Sequence, residues 1–422
     1  MKHRSLNILF ITCFTWLAIS ATSSLHAFAA SVKNAGMGLT GAAHAQDALT
    51  AAYNPANATA ICDRADLGLF WDHYSGKAIN SGSPVPTANG SFNGTTKRDF
   101  YSPDFGINKS FCFCNYQFAV GIVAYNRDFL KTRYDRPIVL LGTTRPGVEI
   151  IREQISPYVA VKFDPNSWCD LGCFAGQHSL GLSVNVIGQR IKVDGLENFI
   201  RTSIDPSFVT GNEYSYSYGC SPTIGWRGEW CDWLALGVAY TPKTHMARFK
   251  KYRGFLADRG RLDVPERVLT GIAINYFPCS TLAFDVEFIG WDRIRALANP
   301  FPATGPLGTS TGAGFGWRNQ TIYRVGLDYQ VLDCLTLRAG YRYGKSFIKS
   351  SQVAANVLTL ETVEQYVTAG ATYQWNCFEF SLSYAHGFKH KISGPIPAIL
   401  GGGNVTLQEV RDVVGFSVGY NY

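Results

Sequence analysis

After its first thirty residues the sequence contains no apolar run near the roughly 18 residues that a membrane-spanning helix needs, which excludes a bundle of spanning helices from the rest of the chain. Charge is scarce, at 16% of 422 residues. The Lys and Arg residues are dispersed, so the formal net charge of +7 lacks the clustered footprint of a nucleic-acid binder. Methionine is nearly absent at 3, whereas Tyr (22), Phe (27) and Gly (42) are plentiful. That balance suits strands with aromatic rims and small inward residues.

Residues 1–29 open with M-K-H-R, continue through L-N-I-L-F-I-T-C-F-T-W-L-A-I and reach Ala27-Phe28-Ala29. A charged start, a short apolar middle and an A-x-A site read as a secretory signal peptide. The mature chain is expected to begin near Ala30, outside the cytoplasm. Gly36, Gly38 and Gly41 in G-M-G-L-T-G then match G-x-G-x-x-G. A dinucleotide site needs a strand before that motif and a helix after it, and an export signal precedes this one. No cofactor is therefore assigned.

The most legible stretch is 264–294. Val268, Thr270, Ile272 and Ile274 share one parity, F-P-C-S interrupts, and Leu282, Phe284, Val286 and Phe288 share one parity again. This is a hairpin with one continuous apolar face. Its other face carries Gly271, Ala273, Ala283, Asp285 and Glu287. In a soluble sandwich the apolar face is the inside, and in a membrane barrel it meets lipid.

The whole chain decides between them. About fourteen alternating segments recur, approximately 65–75, 98–110, 116–127, 150–163, 179–193, 211–226, 233–246, 261–277, 281–293, 317–331, 335–347, 361–375, 378–388 and 405–422. Their connectors alternate between long Gly/Pro-rich stretches and tight turns, as outer-membrane barrels require. The last segment places Phe416, Val418, Tyr420 and Tyr422 on one face and ends on an aromatic residue. The expected fold is an all-β, transmembrane antiparallel β-barrel of residues 63–422.

Residues 30–62 are alanine-rich without helical amphipathicity and end at Asn54-Pro55-Ala56, by itself a turn signal. The run from G-M-G-L-T-G-A-A-H-A-Q-D to Y-N-P-A resembles the N-terminal hatch of the FadL/TodX family, outer-membrane transporters of long-chain fatty acids and other hydrophobic compounds. Further on, V-P-E-R-V-L-T-G-I-A-I-N-Y, L-A-F-D-V-E-F-I-G-W, Y-R-V-G-L-D-Y, L-R-A-G-Y-R-Y and T-A-G-A-T-Y extend the resemblance over most of the mature chain. It implies a fourteen-stranded, monomeric barrel in the outer membrane, plugged by a hatch at 30–62 that ligand displaces. It also implies a lateral opening at a kinked third strand, near Ala119 to Tyr125, with Gly121 as the weak point.

Parity assigns the charges. Arg324 and Asp328 oppose Tyr323, Val325, Leu327 and Tyr329, and Arg338 and Arg342 oppose Leu337, Ala339, Tyr341 and Tyr343. An Arg facing lipid at the bilayer midplane costs roughly 2–4 kcal/mol, so these side chains belong in the lumen, within reach of Asp285, Glu287 and Asp328. Structural ion pairing is one role. Meeting a substrate carboxylate is the other, which makes Arg324, Arg338 and Arg342, with the hatch residues Met37 and Leu39, the candidate substrate contacts.

Of eleven cysteines, Cys13 falls in the signal peptide and Cys220 in a strand. Cys62, Cys112, Cys114, Cys169, Cys173, Cys231, Cys279, Cys334 and Cys377 fall at or beside the tight turns. A first strand running outward from the hatch puts all nine on the periplasmic rim, in an oxidising compartment. C-F-C and C-D-L-G-C without matching histidines lack zinc spacing, so no metal is expected. Disulfides across the rim, local pairs such as Cys169 with Cys173, or disulfides to cysteine-rich envelope proteins are the readings left open.

The expected function is passive, ATP-independent uptake of hydrophobic molecules, fatty acids first, with outer-membrane lipids as surroundings and no nucleic acid. An enzyme needs a nucleophile and base within reach, and His178, His245, His386 and His390 lie in turns, loops or strand ends. A structural envelope protein or adhesin, anchored through the rim thiols, is the alternative.

Overall fold

The computed structural model describes residues 30–422 apart from 97, 98, 115, 165–175, 231, 232, 276 and 277. The signal-peptide reading and Cys169, Cys173 and Cys231 lie outside the described residues. Fifteen strands form one antiparallel sheet: β1 (Arg64–Ser81), β2 (Gly90–Asn93), β3 (Asp99–Phe113), β4 (Tyr116–Arg133), β5 (Gly147–Phe163), β6 (Gln177–Asp194), β7 (Ser215–Trp230), β8 (Leu234–Thr241), β9 (Arg267–Ile274), β10 (Ser280–Ile289), β11 (Gln320–Leu332), β12 (Leu335–Gly344), β13 (Gln365–Trp375), β14 (Phe378–Pro395) and β15 (Asn404–Asn421). β15 pairs with β1 along its whole length and closes the barrel. β2 pairs only with Lys77–Asn80 of β1, beyond the point where β3 leaves it. The barrel wall therefore has fourteen strands, and β2 is an addition that the sequence did not announce.

Alternation fixes which face is which. In the β9–β10 hairpin Phe284 pairs with Ile272 and Asp285 with Gly271. Leu282 and Phe284 are exposed on the outer wall while Asp285 and Glu287 are 1% and 2% exposed inside. The same holds on β12, where Leu337 is exposed and Arg338 reaches an interior residue, Gln46. Leu67, Leu180, Leu182, Val325, Leu327, Leu382 and Phe416 continue the outer apolar surface around the wall. It is uncovered by protein because its solvent is hydrocarbon.

Long connections (82–98, 134–146, 195–214, 242–266, 290–319, 345–364) leave one rim, and short turns leave the other except at 164–176. The long loops fold together into a cap with its own core. Trp291, Phe315, Trp317 and Phe347 are buried with Leu256, Ile294 and Leu297. Trp291 meets Trp317 edge-on at 5.1 Å between ring centroids, and the Trp317 indole N–H donates to Asn356 Oδ1 at 2.7 Å.

Backbone pairing in the wall lapses between β3 and β4. β3 and β4 pair from Phe113↔Tyr116 only as far as Phe105↔Ala124. Beyond it, no backbone pair among the described residues joins them until the bridge Thr95↔Arg133. β4 bulges against β5 between Asn126 and Asp128, and from Tyr125 to Thr132 it is buried on both faces. The break begins at the end of the 119–125 stretch implied by resemblance. Gly121 remains paired with Asn108 and Tyr158, and the irregularity on β4 lies at Arg127, in its pairing with β5.

Candidate functional site

Residues 30–59 are largely buried inside the barrel, and Ala60 and Cys62 are exposed. Ser31 caps helix α1 (Val32–Gly36) by accepting from the Asn34 amide at 3.2 Å, and donates its hydroxyl to Asp47 at 2.5 Å. Asp47 and Asn54 cap two short turns of 3-10 helix, 48–52 and 55–60. Asn54 also donates to the Ala42 and Trp226 carbonyls, at 2.8 and 3.0 Å, so Asn54-Pro55-Ala56 works as a helix cap and a wall contact together. This segment has little apolar bulk, and polar ties fix it in the lumen. Asp285 accepts the Gly41 and Ala42 amides at 2.7 and 3.0 Å, His44 meets Asp328 at 2.8 Å, and Lys33 pairs with Glu379.

The glycines explain how close the segment approaches the wall. Gly38 has φ +67°, and a Cβ there would stand 2.4 Å from the Val325 carbonyl oxygen. On the wall, a Cβ at Gly237 would stand 1.9 Å from the Ala42 carbonyl oxygen. Burial, reinforced by Arg64 nearby, lowers the Lys33 pKa. Burial and the Asp66 carboxylate raise that of Asp47.

Between the segment and the wall is a cavity of about 60 Å³. Ala30, Leu39 and Tyr53 form one side; Tyr125 and Arg127 of β4, Arg267 of β9, Glu287 of β10 and Arg324 of β11 form the other. Glu287 takes both Arg267, at 2.6 Å from Nε, and Arg324. Two guanidinium groups thus share one carboxylate, with Arg127 on the same side of the cavity. Arg127 gives one N–H to Gln154 at 2.5 Å, while its Nη2 and the Nε of Arg324 have no protein partner among the described residues. A buried donor left unmade costs about 1–3 kcal/mol, and a carboxylate is the group two converging guanidiniums hold best. Leu39 has φ +65°, a conformation costing a branched side chain about 1–2 kcal/mol.

Tyr125 and Arg127 belong to the unpaired stretch of β4, so the cavity backs onto the break in the wall. That break is closed by side chains alone. Phe100 of β3 and Phe129 of β4 meet at a 33° tilt with centroids 4.1 Å apart, beside Ile151. Three further spaces lie toward the rims. An apolar pocket in the cap, lined by Leu141, Phe199, Leu256, Phe301 and Leu358, shares Phe199, Phe301 and Leu307 with an outer trough of about 740 Å³. At the short-turn rim a polar vestibule of about 390 Å³ is lined by His44, Gln46, Asp328 and Arg338.

A closed fourteen-stranded wall around an N-terminal segment finds its counterpart among known proteins. The profile described as Outer membrane protein transport protein (OMPP1/FadL/TodX) matches residues 11–422. The chain belongs to the OMPP1/FadL/TodX family. A Pseudomonas aeruginosa FadL homologue has the same fold, with TM-score 0.67 at 15% identity over 96% of this chain and 99% of that one. So has the P. putida toluene transporter TodX, at 0.63, 14%, 92% and 97%, and the CymD monoaromatic hydrocarbon channel, at 0.57, 16%, 94% and 99%. No curated protein sequence matches the chain. As a FadL/TodX member it stands among outer-membrane transporters of hydrophobic compounds, a family of channels and not of enzymes.

Within this FadL/TodX barrel the residues singled out from sequence separate. Arg324 and Leu39 line the central cavity. Arg338 lines the vestibule and holds Gln46 and Thr372, both at 2.7 Å. Met37 is fully buried among Ala43, Ala235, Ala273 and Ala283, and Arg342 stacks over the Tyr366 ring at 5.2 Å. Sequence reading missed Arg127, Arg267 and Tyr53. Arg267 follows Pro265-Glu266 and shares the inward parity of Gly271 and Ala273, which was a usable signal; Arg127 sat at an uncertain strand edge.

Gly415-Phe416-Ser417-Val418-Gly419 matches the hydrolase pattern G-x-S-x-G. That pattern requires a strand-to-helix elbow, and here it lies inside β15, with Ser417 opposite Gly68 and Ser381. Cys62, Cys112, Cys114, Cys279, Cys334 and Cys377 lie at the short-turn rim, and Cys220 is exposed on the outer wall. All seven carry free thiols, so none of the expected intrachain disulfides joins them.

Proposed function

We propose that this protein admits long-chain fatty acids across the outer membrane by passive diffusion, with residues 30–62 acting as a hatch. The short turns face the periplasm, as in bacterial barrels generally, and the cap faces outward. An acyl chain collects in the apolar trough and pocket of the cap, and its carboxylate then meets Arg127 and Arg324 in the central cavity. The unmade donors of those two arginines carry this reading. A monoaromatic hydrocarbon, the substrate named for some structural relatives, has nothing to satisfy them.

At about 60 Å³ the cavity is well below the roughly 300 Å³ of a small-molecule site. The hatch side, including the strained Leu39, has to move for an acyl chain to enter. The Phe100–Phe129 seam is the way out, into the wall's lipid surroundings. Binding of oleate and of oleyl alcohol to the purified protein tests the assignment. Oleate should bind more tightly, and Arg127→Gln should weaken oleate about tenfold, the equivalent of one lost interaction of about 1.4 kcal/mol, without affecting the alcohol. Equal affinities in the wild type, or preference for toluene, would overturn the fatty-acid assignment.

A further inference from the structure

We propose that the thiols of Cys114, Cys279, Cys334 and Cys377 form a covalent docking ring for a periplasmic protein that carries an accessible disulfide. Each of the four stands in a different hairpin turn of the short-turn rim, and all are free, with three exposed and Cys334 half-buried. The long loops of the cap, by contrast, contain no cysteine. Three of the turns repeat one device. The carbonyl of Cys279 accepts the Gln330 amide at 2.8 Å, that of Cys334 the Gln374 amide at 2.8 Å and that of Cys377 the Asn421 amide at 2.9 Å. Each backbone is thereby pinned to the neighbouring hairpin. Any residue could supply that carbonyl, so the bond does not account for cysteine.

Conformation argues against cysteine at two of the positions. Cys114 and Cys279 have φ +48° and +58°, where glycine or asparagine is the undemanding choice and other residues are strained. Among the described residues nothing repays this, since both thiols are free. Geometry then locates the partner. Neighbouring turns are two strands apart, about 10 Å at the usual strand spacing, beyond the 7 Å limit for bridging cysteines. The ring cannot close on itself. A second copy beside it in the membrane would reach one or two turns, whereas a protein beneath the rim reaches all four.

The chemistry is thiol–disulfide exchange. A rim thiol gives up its proton, and the thiolate attacks one sulfur of the partner's disulfide. A bond forms between the chains, the partner's own S–S bond breaks, and its other sulfur leaves as a thiolate that takes up the proton. No external oxidant is consumed.

The test uses outer membranes from cells that make the protein naturally, opened in N-ethylmaleimide to stop exchange, and compared on gels with and without reductant. The expected result is a slower band that returns to the single-chain position on reduction. Mass spectrometry of that band should give disulfide-linked peptide pairs joining one of the four turns to a different protein. Changing all four cysteines to serine should abolish the band while heat-modifiable migration and fatty-acid uptake persist. A single-chain band without reductant, a slower band that survives the four serines, or linked peptides from this chain alone would each overturn the proposal.

Discussion

Replacing Asp285 by alanine tests how the hatch is held. Its Oδ2 accepts the amides of Gly41 and Ala42 at 2.7 and 3.0 Å in a site 1% exposed. Hydrogen bonds to a charged acceptor contribute about 1.5–3 kcal/mol each, so the pair is worth about 3–6 kcal/mol gross. The substitution also removes a buried carboxylate whose Oδ1 has no protein partner among the described residues, an offset of about 1–3 kcal/mol. A net loss of about 2–3 kcal/mol raises the displaced population of the hatch by about 30- to 150-fold. Planar-bilayer recordings should show frequent openings in Asp285→Ala and few in the wild type. Asp285→Asn keeps an acceptor oxygen and should fall between them. Heat-modifiable migration confirms that the barrel has formed. Conductance indistinguishable from wild type in a correctly folded Asp285→Ala would refute the clamp.

Three other perturbations address separate parts of the molecule. Phe100→Ala with Phe129→Ala removes the ring contact across the unpaired wall, and should raise oleate transfer into vesicles severalfold at unchanged binding affinity; unchanged transfer would show the seam is not the exit. Leu337→Arg places a charge on the lipid face of β12 at a cost of roughly 2–4 kcal/mol, so the denaturant midpoint in lipid should fall, while Arg338→Leu alters only interior contacts with Gln46 and Thr372. Burial and the Asp72 carboxylate, opposed by Arg411, raise the Glu361 pKa from 4.5 to about 7. The folded state therefore holds that proton more tightly, and the stability it contributes is complete below pH 4.5 and lost as pH rises through about 7. Glu361→Gln should keep its thermal midpoint at pH 8.5 where the wild type drops; parallel profiles would contradict this.

The wall was legible because period-2 alternation is enforced at every step. A one-residue slip in β10 would put Asp285 and Glu287 into lipid. The cap was not, since Trp291, Trp317 and Phe347 come from different loops and converge only after the barrel has brought those loops together. β4 beyond Arg127 was lost for a related reason: Tyr125–Thr132 is buried on both faces, so it shows no alternation, and the bulge at Arg127 shifts its register. That stretch supplies both a cavity wall and half of the seam. The glycines of G-M-G-L-T-G, refused as a dinucleotide site and read as part of the hatch, allow close approach: Gly36 and Gly38 to the wall, Gly41 to Asn34 and Tyr53.

The decisive measurement is the accumulation of labelled oleate by cells lacking any other uptake route, with and without this protein. Saturable uptake that needs the protein, and that falls at least tenfold with Arg127→Gln and Arg324→Gln together while toluene permeation is spared, is the predicted result. Oleate uptake equal in the two strains, or unaffected by loss of both arginines, would contradict it.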